Sequence, residues 1–404
     1  MKFKLIYFSV FLLALDFLLL VLLGKTYTKF LVFPPYFYAH DTILILATLT
    51  PLIRYNKHEN RIKSVEILFL LALVYLGISL FNIEFEIRNK GYYMFRQFAV
   101  FGYPILIYII LKQLYSIKKA AYYFIRSINL FGFLCLLVQV LYILYYCFSE
   151  GEHPFFERNY YSPMIIMGLL VFGSYILIKV KNPYLKFLFF VFNFFIALST
   201  GHDSVYLSLL VISFSYLFLK SKKRIRIFIV MVFLLIGLLV MIYIPSFSDV
   251  NMQWRIIYWK DCLLRLSNNY LIFGEGFGVP YLSSQTVINL NNLMLSYSHN
   301  VQIIGDENYL IAPHNSFLSM FIHIGVLPVL FFLYPIIRVL LWFDFVKNKE
   351  SLFLILCLIG MLVFSFFNVI LELPHSSSIF WVVYFVLIFK LNKESEGSIL
   401  SRKF

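Results

Sequence analysis

Apolar runs of about twenty residues, each closed by charge or proline, recur along nearly the whole of this 404-residue chain; a helix needs about 20 residues to cross the hydrocarbon layer. A backbone inside lipid must satisfy its own N–H and C=O groups, which a helix does within one segment. The repeated run therefore restricts the chain to a bundle of membrane-spanning helices. Composition agrees: 61% of residues are hydrophobic and 13% charged, against about 25% charged in a soluble domain. Too little polar material is present to cover a water-facing surface.

The runs predict helices near 5–23, 36–53, 65–83, 97–112, 125–148, 161–179, 184–199, 203–219, 225–244, 314–343, 351–371 and 376–390. The expected fold class is all-α, a polytopic bundle of about 12 transmembrane helices with a large, partly helical external loop between the ninth and tenth. Three parts follow: residues 1–244 with helices one to nine, the loop at 245–313, and residues 314–404 with helices ten to twelve and a tail. Lys and Arg provide a separate test. With both termini in the cytoplasm, 25 of the 34 fall on the inner side, the bias expected of cytoplasmic loops. One miscounted helix would invert every later loop.

The net charge of +14 lies in short clusters between apolar runs, which orients helices and calls for no nucleic acid. Cys135, Cys147, Cys262 and Cys357 form no CxxC pair, so neither a disulfide framework nor a metal site is implied. The run from Leu5 to Leu23 is long, lacks a small-residue cleavage site and reads as a retained first helix.

The loop at 245–313 is too long to be an ordinary connection, and its Trp, Tyr, Leu and Ile content argues against disorder. Residues 251–266, NMQWRIIYWKDCLLRL, read as an amphipathic helix. One reading lays it on the membrane interface with Trp and Tyr as anchors. The other makes it an anion site, because Arg255, Lys260 and Arg265 concentrate external charge there and an arginine fork fits phosphate oxygens. Gly274, Gly276 and Gly278 alternate through the next stretch, which allows positive φ and a sharp turn. The loop closes on Pro313–His314–Asn315–Ser316. Helix initiation and capping explain Pro, Asn and Ser. They leave His314 unexplained, at a helix N-terminus where an imidazole tends to stay neutral and able to accept a proton.

These residues resemble the O-antigen polymerase and ligase family of bacterial envelope glycosyltransferases. The likeness rests on the helix order with its late external loop, on Trp254–Arg255 with Tyr258–Trp259, on the 271–278 stretch, and on His314–Asn315 followed by Gly325. The resemblance implies a polymerase, with undecaprenyl-diphosphate-linked oligosaccharides as donor and acceptor, at the outer face of the bacterial inner membrane. A ligase passing glycan to another acceptor, or a non-enzymatic flippase, are the alternatives. It also implies that His314 activates the acceptor hydroxyl and that Arg255, or else Arg265, holds the donor diphosphate. Asn315, Gly274 and Gly276 would line the substrate site, with no cofactor or metal, and flippase and chain-length regulator proteins would be candidate partners. Family members often carry Ser-Arg at the start of helix eight. This chain has Thr200–Gly201–His202–Asp203–Ser204, which makes His202 a candidate substitute.

Asp16, inside the first helix, is expected to face the bundle and pair with a hydroxyl or amide. His323 reads as a packed core residue, and Glu372 with His375 as residues near the acceptor path. His299, Asp306 and His314 match no standard metal-ligand spacing.

Overall fold

The computed structural model describes residues 2–33, 37–53, 61–81, 90–115, 120–149, 163–221, 250–296, 303–342 and 348–401. The helix expected at 225–244, the acidic Glu150–His153 stretch and His299 lie outside them.

Long apolar runs become helices because lipid leaves their backbone no other partner. They are α1 (Lys2–Thr28), α2 (Ala39–Ile53), α3 (Lys63–Phe81), α4 (Lys90–Leu114), α5 (Ala120–Ser149), α6 (Pro163–Lys179), α7 (Pro183–Leu198) and α8 (Asp203–Lys220). The loop contributes α9 (Val250–Arg265) and α10 (Ser284–Ser296), with a π turn at Leu266–Tyr270 and a 3-10 turn at Gly305–Tyr309. Then follow α11 (Ser316–Ile324), α12 (Val326–Trp342), α13 (Lys349–Phe367) and α14 (Pro374–Ser401). Among the described residues six helices, α3, α4, α5, α8, α13 and α14, are long and apolar enough to cross a bilayer. Shorter apolar segments lie in α1, α2, α6, α7 and α12.

Two departures from expectation stand out. A short antiparallel pair, β1 (Leu31–Phe33) with β2 (Phe37–Tyr38), precedes α2, an unexpected local addition to a fold that is all-α as expected. The single tenth helix expected at 314–343 is instead two, because Gly325 sits at φ +78° between α11 and α12. There the backbone of Ile272 and Phe273 presses against the glycine, leaving no room for a side chain. The chain turns at that point.

Packing follows the membrane rule that small residues let helices approach. Gly132 and Gly168 meet the facing residues of α5 and α6, and a Cβ on Gly168 would overlap Cys135. α14 runs through the core, with Trp381, Tyr384 and Phe385 fully buried, and the Tyr384 hydroxyl donates to the Phe332 carbonyl at 2.9 Å. The four cysteines are unpaired. Asp16 is fully buried and accepts from the Tyr27 hydroxyl at 2.8 Å, with His40 Nδ1 also at 2.8 Å. A hydroxyl was the expected partner; the imidazole was not foreseen.

The loop is seated on one end of the bundle. Gln97 of α4 uses its whole amide there: Nε2 donates to the carbonyls of Val279 and Tyr309 at 2.7 and 2.9 Å, and Oε1 accepts from Gly278 N–H at 2.7 Å. Ser79 of α3 accepts from Phe277 N–H at 2.9 Å, and Phe277 packs edge-on against Phe98 and Phe101.

Candidate functional site

α9 carries Trp254, Tyr258 and Cys262, and the π turn that continues it carries Leu266, at a spacing of four that places them on one helical face. That face is buried in the loop's own core, with Tyr281, Leu282, Leu290, Ile303, Ala312, Leu318 and Ile322. The interfacial-anchor reading of this Trp and Tyr is therefore corrected: they hold the loop together. An apolar stripe looks the same in sequence whether lipid or protein covers it.

This packing fixes the segment that leads to His314. The Tyr258 hydroxyl donates to the Ile311 carbonyl, and Trp259 Nε1–H donates to the Pro313 carbonyl at 2.5 Å. Trp259 also lies edge-on to Phe366 at the end of α13, 5.8 Å between centroids. His314 then adopts φ +48°, the only non-glycine residue at positive φ among those described. Such a backbone is uncommon for a side-chain-bearing residue and often accompanies function. Its N–H turns back to the Ala312 carbonyl at 2.8 Å. Trp254 meets its ring edge to face at 5.4 Å.

Asn315 caps α11, accepting from Phe317 N–H and Leu318 N–H, both at 3.0 Å. The helix thus starts at Ser316, two residues later than the expected boundary. Ser316 Oγ accepts from Ile370 N–H and Leu371 N–H at 2.9 and 3.1 Å and bonds Glu372 Oε2 at 2.7 Å. Asn368 Nδ2 donates to Ser204 Oγ at 2.7 Å. These bonds bring the starts of α8 and α11 and the end of α13 together. His202 arrives with them, just after the tight turn at Gly201, φ +63°, its ring edge-on to Phe364 at 6.4 Å.

Arg255 on α9 and His202 just ahead of α8 are near enough to His314 for their charges to act on its ring. Burial chiefly, then the charges of Arg255 and His202, push the His314 imidazole down to about 4. At neutral pH the ring is uncharged. Neutrality was expected from the helix terminus; desolvation and the neighbouring cation are the stronger causes. An uncharged imidazole beside a guanidinium can take a proton from a hydroxyl while the guanidinium holds an anion.

The remaining candidates sit apart from this group. Arg265 pairs with Glu275 and donates to the Pro280 carbonyl at 3.0 Å, so it braces the loop. Gly274 and Gly276, at φ +68° and +87°, adopt the positive angles expected of a sharp turn. They place the backbone of that turn against α11: Glu275 N–H bonds the Ile322 carbonyl at 2.6 Å and Gly276 N–H the His323 carbonyl at 3.0 Å. His323 is buried, as expected. Its Nδ1 faces the Gly276 carbonyl at 2.9 Å, an acceptor only, so Nδ1 carries the proton and Nε2 accepts from the Tyr281 hydroxyl at 3.1 Å. Glu372 anchors α11 through Ser316. Sequence reasoning passed over Trp259, Asn368 and Gln97 as site-building residues.

Apolar spans with a loop-covered polar site at one end define a multi-pass membrane protein whose site lies at the edge of the helical layer. A family model described as O-Antigen ligase, Wzy_C, matches residues 188–334. The matched part runs from α7 into α12 and contains His202, Arg255, Arg265 and His314. No curated protein matches the chain.

Proposed function

We propose that the chain is a membrane glycosyltransferase that joins undecaprenyl-diphosphate-linked oligosaccharides into a polysaccharide at the outer face of a bacterial inner membrane. The observation that carries this reading is a buried His314 within reach of the charges of Arg255 and His202, inside the matched segment. About twelve spans with both termini cytoplasmic put this group on the outer side, where the loop covers it.

In the reaction, a hydroxyl of the acceptor glycan attacks the anomeric carbon of the donor. The bond from that carbon to the diphosphate oxygen breaks, and the electron pair leaves with the diphosphate. The hydroxyl proton passes to the His314 imidazole and then to water. Arg255 takes the charge growing on the leaving diphosphate through its fork of N–H groups, with His202 ahead of α8, where the family pattern has arginine. On this reading the charge on the leaving group is met by side chains alone, without metal or cofactor.

The test is incubation of the purified protein with lipid-linked repeat units, with product sizing. A ladder of lengths is expected from the native protein and none from His314→Ala at equal membrane abundance. An unchanged ladder from His314→Ala would refute the assignment. The family description favours a second reading, transfer of glycan to a different acceptor. That would give a single transferred product and no ladder.

A further inference from the structure

Arg96 lies on α4 one residue before Gln97, at the loop-bearing end of the bundle. Its guanidinium stands over the ring of Tyr38, 4.9 Å from the centroid. Tyr103, Tyr92 and Asp41 are near enough for their charges to act on it. Yet among the described residues no acceptor bonds any of its N–H groups. Asp41 is engaged elsewhere, accepting from the Tyr103 hydroxyl at 2.9 Å and from Tyr38 N–H at 3.0 Å. Asp16, deeper in the bundle, is held by His40 and Tyr27. Arg265, by contrast, has its carboxylate in Glu275.

A guanidinium carries five donors in a planar fork, and at half-buried Arg96 that fork is open to a ligand. Phosphate oxygens match that fork best. The position is also separate from His314. Tyr281, close enough to feel the Arg96 charge, bonds Ser319 and His323 in the middle and at the end of α11, whereas His314 lies ahead of its first turn.

We infer that Arg96 is a second anion-binding group for a phosphate-class ligand, the diphosphate that the acceptor glycan keeps while the donor loses its own. The inference rests on the polymerase reading, in which two lipid-linked substrates occupy the protein together. It deepens that reading, because passing glycan to an acceptor without diphosphate would leave Arg96 unused.

The experiment titrates undecaprenyl diphosphate into purified full-length protein in nanodiscs of zwitterionic lipid, with inorganic pyrophosphate as competitor. Two binding events are expected in the native protein. Arg96→Gln and Arg96→Lys should each weaken one of them about tenfold or more, the loss of at least one charge-assisted hydrogen bond, and leave the other intact. Arg96→Lys keeps the positive charge beside Asp41, so an unchanged melting temperature in that variant separates lost binding from lost fold. A single event in the native protein, or two events untouched by both Arg96 variants, overturns the inference. So does disappearance of the Arg96 event once anionic phospholipid is added, since an ordinary headgroup would then be the occupant. Arg255→Lys should weaken the other event; if it does not while the Arg96 variants act as expected, the reading of Arg255 fails and Arg96 stands.

Discussion

The indole N–H of Trp259 donates to the carbonyl of Pro313 across 2.5 Å, one residue ahead of His314. With the Tyr258 hydroxyl on the Ile311 carbonyl, two consecutive residues of α9 set where the imidazole sits. Trp259→Phe retains an aromatic ring against Phe366 but strands a buried carbonyl, at a cost of about 1–3 kcal/mol. Turnover is expected to fall about tenfold or more with a smaller change in KM, because a misplaced catalytic group costs more in the transition state than in binding. Single-turnover kinetics on purified protein decide it; unaltered turnover would mean that His314 is held by something else.

Arg255 and Arg265 should separate cleanly. Arg265→Gln removes the partner of Glu275, whose Oε1 already has no hydrogen bond, and is expected to destabilise the loop by about 1–3 kcal/mol. Arg255→Gln should keep the melting temperature and lower activity by about a hundredfold or more, the loss of one preorganised electrostatic contact to the leaving group. Thermal melts and product assays on both variants check this. The opposite pattern would exchange their roles.

The depressed His314 sets a pH profile. With its imidazole at about 4, kcat/KM is expected to be flat between about pH 6 and 8 and to fall near pH 4, as the ring is protonated and can no longer accept a proton. Arg255→Gln removes one cause of the depression and should move that limb upward. Stability carries the matching sign. Between the ordinary value of 6.5 and about 4 the unfolded chain binds this proton and the folded chain does not, so stability is lost as pH falls through that window. His314→Gln should flatten the slope there, as read by thermal melts at stepped pH.

Gly325→Ala should damage the fold. Its φ of +78° disfavours any side chain, and a Cβ would run into the Ile272 carbonyl. The expected loss is about 2 kcal/mol or more, because strain and overlap act together. Gly77→Ala, where a Cβ would meet nothing, is the control. Equal melting temperatures for the two variants would show that the break between α11 and α12 is soft.

Helices were the most legible part of this chain, because a bilayer demands length and apolarity that show directly in sequence. The stripe of α9 was legible as a stripe; what it faces was not, since loop core and lipid select the same residues. The break at Gly325 depends on the backbone of Ile272 approaching from outside the run, so no local pattern carried it. His314 and Arg255 were legible through their setting, with Trp254 beside one and Asn315 after the other. Gln97 and Asn368 were not, because their partners lie 182 and 164 residues away in sequence.

Gln97 has one more consequence. Its single amide nitrogen ties the carbonyls of Val279 and Tyr309, so both ends of the excursion that contains α10 are pinched shut at one point. That excursion behaves as a cassette with a closed neck. Yet Leu290 and Ile303 inside it pack in one core with Trp254, Tyr258 and Ala312, so exchanging its apolar residues shifts the 311–314 segment as well.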